Sequence, residues 1–123
     1  MRIEGRDLKP YIETVAPEDL VEGQVYFSVS YVDDQMHMPI LLSLVFVGKN
    51  LKPEDKDEFY FQDLRSYAAG VRYDTASPEN PASLHTGDIV HSIQYYDQAL
   101  DDLIRCSLRR KEAERKAVKN SDR

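Results

Sequence analysis

Side chains able to do chemistry are few in this chain, and they are scattered. Asp33, Asp34 and His37 fall within five positions, and two carboxylates beside an imidazole could hold a cation or serve as acid and base. Adjacent aspartates also form turns and keep a loop solvated, which is their more common use. His85 and His91 flank Asp88 in His-Thr-Gly-Asp-Ile-Val-His. That set could bind zinc if the backbone gathered it, but the spacing fits neither the helical H-x-x-x-H pattern nor a zinc finger. Asp88 is better suited to the start of a helix, where a carboxylate satisfies free N–H groups. Cys106 has no catalytic motif around it and reads as a small, partly buried thiol. Gly5, Gly23, Gly48, Gly70 and Gly87 stand too far apart for a phosphate-binding loop. Asp33, Asp34, His37, His85 and His91 remain weak metal candidates. No catalytic residue and no cofactor is assigned, and the reading leans away from an enzyme.

Aromatic side chains are more suggestive. Tyr26, Tyr60, Tyr67 and Tyr73 could form a stacking or peptide-binding surface, with Tyr26 and Tyr60 on the pleat face opposite Phe27, Phe59 and Phe61. The plainer alternative is that a helix covers that face, as in most small sheet-and-helix domains.

The elements that must position these groups are organised around residues 23–48. Val25, Phe27, Val29 and Tyr31 alternate with Ser28 and Ser30, the period-two pattern of a half-buried strand. In residues 40–47 only Ser43 is polar, so both faces of that strand meet apolar neighbours and it reads as the central one. The connection Val-Asp-Asp-Gln-Met-His-Met-Pro between them is too long for a two-residue turn and should project, with Met36 and Met38 partly exposed. A third strand follows at residues 59–62, and three sequential strands most simply pair as an antiparallel meander.

Residues 11–15 could form a short strand behind a loosely held start. Pro17, the acids after it and Gly23 describe one helical turn. Asp63 can cap a short helix ended by Gly70, with residues 71–73 as a further edge strand or extended segment. Residues 74–87 hold two prolines and little apolar content, a long structureless connection. The last element is a helix beginning between Asp88 and Tyr95. Ile93, Tyr96, Ala99, Leu100, Leu103, Ile104 and Leu108 lie on its apolar arc, which spans about 200° where one-sided packing needs about 100°. The excess makes Tyr96, Leu100, Leu103 and Ile104 a candidate interface with a second copy. The fold expected is α+β: a bent antiparallel sheet of three to five strands with one long C-terminal helix. Short strands after Glu22-Gly23-Gln24-Val25 resemble the opening of an SH3-like barrel, which implies closure as one form of that sheet.

At 123 residues the chain fits one domain, placed at residues 1–108, with residues 109–123 as a basic, solvent-exposed extension. The net charge of -6 conceals an asymmetry. Residues 109–123 carry seven Lys or Arg against three acids, a balance of +4, while residues 1–108 carry nine against 19, a balance of -10. An acidic body repels nucleic acid, so that partner is unlikely on charge grounds. The first ten residues lack an apolar signal core, and no apolar run approaches the roughly 20 residues of a membrane helix. A single cysteine forms no internal disulfide and is compatible with the cytoplasm. Together these features point to a non-enzymatic protein-interaction module that pairs with another protein or with itself as a homodimer. Two other classes fit the composition: an acidic inhibitor or immunity-type protein that neutralises a basic partner, and a small metal-dependent enzyme using the loop Asp and His residues.

Overall fold

The computed structural model describes residues 2–3, 6–8, 10–75 and 82–121, with side chains described for residues 8, 10–75 and 82–118. Residues 76–81 of the long connection, together with the Lys119 side chain, Asp122 and Arg123 of the tail, lie outside the described residues. Near the start, β1 (Arg2–Ile3) pairs antiparallel with β2 (Arg6–Asp7). A 3-10 turn at Pro17–Asp19 follows, and Gly23 takes φ +85° to redirect the chain into the sheet.

The alternating run becomes β3 (Val25–Tyr31) and the apolar run becomes β4 (Pro39–Lys49). They pair antiparallel with Val25 opposite Val45 and Tyr31 opposite Pro39, and β4 pairs in turn with β5 (Phe59–Asp63). Two more strands flank this meander, giving the order β6-β5-β4-β3-β7 with β6 at Leu84–His85 and β7 at Ile93–Gln94. The fold is α+β with an antiparallel sheet, and β4 is central. The sheet is open: β6 and β7 are its two edges, so the SH3-like closure does not occur.

One face of the sheet holds the main core. Tyr26, Leu44, Phe46, Phe61 and Ile93 pack there with Val15 and Val90, and Leu20 and Ile89 seal the sides. The β4–β5 register shifts between Phe46 and Gly48, a bulge at which Gly48 adopts φ +148°.

Four sequence expectations are corrected here. Residues 11–15 form no strand, and Val15 N–H instead donates a single bond to Ile93 O at 2.8 Å. Residues 71–73 form no strand either, because the Val71 carbonyl is taken by the Gln62 side chain (2.9 Å). The long connection is not structureless, since β6 lies within residues 74–87 and a 3-10 segment, Gly87–Ser92, begins at its end. Ile93 does not join the helix: it pairs with Ser28 in β7, so the helix starts only after it. The capping expectation holds. Asp63 caps α1 (Leu64–Ala68) by accepting Ser66 N–H at 3.0 Å.

α2 (Tyr96–Ser121) ends the described chain, and its side chains from Glu114 to Val118 are exposed. An exposed Arg115–Glu112 pair at 2.6 Å is the kind of contact that adds little stability. Deleting residues 112–123 is therefore expected to move the thermal midpoint by less than about 4 °C, the shift that about 1 kcal/mol produces. A larger fall in a calorimetric scan would mean that this end of α2 packs against something.

Candidate functional site

α2 begins where Gln98 turns back to accept Tyr95 N–H at 2.9 Å, and it packs against β3 and β7. Its sheet-facing side is formed by Ala99, Asp102 and Cys106, each only 3% exposed. On a helical wheel these three occupy about 60°. The seam they make is small and polar. Gln94 Nε2 donates to Asp102 Oδ2 at 3.3 Å and to Glu13 O at 3.1 Å, while Tyr31 O–H donates to the Asp102 carbonyl at 3.4 Å. Arg109 lies 5.1 Å over the Tyr31 ring and donates from Nε to Met36 O at 3.1 Å, tying the helix to the loop between β3 and β4. Burial and then the nearby Asp102 charge raise the Tyr31 phenol pKa, against the opposing pull of Arg109. Two atoms of the seam, Gln94 Oε1 and Arg109 Nη2, are buried without a partner.

With that side turned inward, the larger side chains of the arc point elsewhere. Tyr96, Leu100, Leu103 and Ile104 are centred about 120° around the helix from the seam. Tyr96 is 63% exposed, with its ring edge-on to Phe27 at 5.6 Å, and the other three are half-buried. Beside Leu103 runs a groove of about 330 Å³ lined by Pro39, Cys106, Arg110 and Glu114. On the same sheet face Leu41, which pairs with Val29, is 48% exposed. Partly exposed apolar side chains thus lie along this flank of α2 among Ser107, Arg110, Lys111 and Glu114.

The four tyrosines are divided. Tyr26 lies opposite Leu44 and shares the core face with Phe61, so it is buried, with its hydroxyl accepting Val21 N–H at 2.9 Å. Tyr60 is also buried and donates to Asp55 Oδ2 at 2.6 Å, a bond that pushes its pKa up to about 12. The expectation of one pleat face carrying both fails because the register sets Tyr26 with Phe61 on one face and Tyr60 on the other. Tyr67 and Tyr73 do meet, in a cleft of about 230 Å³ shared with Glu22, Gly23, Phe46 and Arg72. Arg72 stacks 3.7 Å above Tyr67, and its Nη1 donates to Tyr67 O and Val71 O at 2.9 Å. Tyr26→Phe should cost about 1 kcal/mol in urea unfolding, since it strands the Val21 N–H; no loss would mean that water replaces the hydroxyl.

Among the described residues no three His, Cys, Asp or Glu side chains lie close enough to hold a metal ion. Asp33 organises its loop, accepting Met38 N–H at 2.8 Å and His37 N–H at 3.0 Å. Desolvation opposes its ionisation, but those backbone donors prevail and hold its carboxyl below the usual range. Asp34 is exposed beside it. His85 lies in β6 opposite Phe61, His91 is exposed at the far end of the 3-10 segment, and Asp88 sits in that segment's first turn. The helical wheel sets Asp102 and Arg109 on the wet face opposite the apolar arc, whereas Asp102 is buried against the sheet and Arg109 is half-buried; sequence reasoning also missed Gln94, as well as Arg72 and Glu22 in the cleft. The available signal was the small-residue spacing Ala99, Cys106, Ala113, which marks a flank able to approach a sheet closely.

No protein-family model matches the chain, and neither a curated protein nor a solved structure matches it.

Proposed function

We propose that the chain is a small non-enzymatic interaction module of the cytoplasm that works by self-association through the outer flank of α2. The observation that carries this reading is the rotation of the helix: it packs on its own sheet with Ala99, Asp102 and Cys106 and leaves Tyr96 63% exposed and Leu100, Leu103 and Ile104 only half-buried. Each Leu or Ile taken fully from water contributes about 1.5–3 kcal/mol, of which these half-buried residues retain part for a second surface. Exposed charge pairs contribute only about 0–1 kcal/mol each, so apolar contact dominates.

Sedimentation equilibrium at low and high salt tests it. The expected result is a dimer at both ionic strengths that becomes a monomer in Leu100→Asp or Leu103→Asp. A wild-type monomer at both overturns the reading. A monomer that captures a basic protein at low salt and releases it at high salt would favour an acidic inhibitor instead.

A further inference from the structure

We propose that the cleft shared by Tyr67, Tyr73, Arg72 and Glu22 binds a small zwitterion with an apolar body, the chemistry of a free amino acid with a large apolar side chain. Its carboxylate would meet Arg72 and its ammonium Glu22. None of the residues lining this cleft belongs to α2, and the site does not depend on self-association.

Local geometry prepares Arg72 for an anion. Asp63 caps the start of α1, and Gly70, at φ +92°, turns the chain at its end, with its N–H donating to Tyr67 O at 3.0 Å. The chain then folds back, so that the Arg72 guanidinium stacks on the Tyr67 ring. Nη1 has two hydrogens, and they go to Tyr67 O and Val71 O. Nε and Nη2 make no hydrogen bond among the described residues. That edge of the guanidinium is one a carboxylate takes through two parallel bonds. The stack and the two carbonyls hold it in place before any ligand arrives.

Glu22 supplies the opposite charge. It is exposed and makes neither a hydrogen bond nor an ion pair among the described residues. Although Glu22 and Arg72 line one cleft, no ion pair joins them. Glu22 Oε1 lies instead beside Gly48, 3.5 Å from where a Cβ would stand there. Opposite charges held apart in one cleft suit a ligand that carries both. Phe46, Val47 and the Tyr73 ring, which is 43% exposed, supply apolar wall for the rest of that ligand. At about 230 Å³ the cleft is smaller than the roughly 300–1,000 Å³ of sites for drug-sized ligands, which matches a single amino acid.

Titration of the full chain with L-phenylalanine, followed through backbone amide signals in nitrogen-15 NMR, tests the site. Saturable shifts in the millimolar range are expected at Gly23, Gly48 and Tyr73. N-acetylphenylalanine lacks the ammonium and phenylalaninamide lacks the carboxylate, so each should bind about tenfold more weakly, the loss of one charged hydrogen-bonded contact. Glu22→Gln should abolish the preference for phenylalanine over its N-acetyl form, and Arg72→Gln the preference over the amide. Arg72 also ties two carbonyls, so if Arg72→Gln unfolds the chain, the exposed Glu22→Gln decides alone. Absence of saturable shifts, shifts centred outside the cleft, or equal binding of the three compounds overturns the proposal.

Discussion

Phe46→Ala is expected to lower the stability of the protein by about 3–5 kcal/mol, the usual loss when a buried aromatic is truncated. Phe46 is 5% exposed on the central strand, with the Phe61 ring 5.4 Å away and the Phe59 ring 6.1 Å away. Its backbone is fixed as well, since its N–H donates to Gln24 O at 3.2 Å and its carbonyl accepts Gly23 N–H at 2.8 Å. The site therefore cannot collapse around the missing ring, and the cavity remains. Such a loss is a large share of the 5–15 kcal/mol that holds a domain together. The check is guanidinium unfolding, with a strongly reduced midpoint and an unchanged slope. A midpoint near that of the wild type would show that the core does not centre on β4.

Gly48→Val should have the next largest effect, about 2–4 kcal/mol, for a different reason. At φ +148° a β-branched side chain is strained whatever space surrounds it. The added Cβ would also stand 2.9 Å from Leu51 Cδ2, although that methyl can swing away. Gly70→Ala separates the two effects, because φ is +92° there and nothing lies within 4 Å of the new Cβ. Thermal unfolding should rank Gly48→Val as the more damaging. Equal losses would assign the whole effect to backbone strain.

The middle of the sheet was legible because its signal is local. Alternation in residues 25–31 and the two-sided apolar run at residues 40–47 named β3 and β4, and Asp63 and Gly70 marked the ends of α1. β6 and β7 left no such trace. Each has two residues, too few for a period, and exists because Phe61, Gln62, Phe27 and Ser28 offer it hydrogen bonds from far along the chain. The rotation of α2 was hidden for the opposite reason. Its apolar arc is too wide to choose a face, and the choice fell to the small flank that lets Gln94 reach Asp102. Half of the tyrosine surface dissolved on register, which no single segment contains. Tyr67 and Tyr73 line one cleft because the turn at Gly70 brings both to it.

The remote partner of β3 also sets an order of events at the ribosome. β3, β4 and β5 follow one another closely and can zip together once residue 63 has been made. Ser28, however, finds its other neighbour in Ile93, 65 positions later. At 5–20 residues per second, about 2–6 s of synthesis separate the finished meander from the strand that covers its outer edge. During that interval the nascent sheet shows a row of open hydrogen-bonding groups beside Phe27 and Val29, a template for strand addition by any neighbouring chain. A product that stops short of Ile93 keeps that edge bare for its whole life.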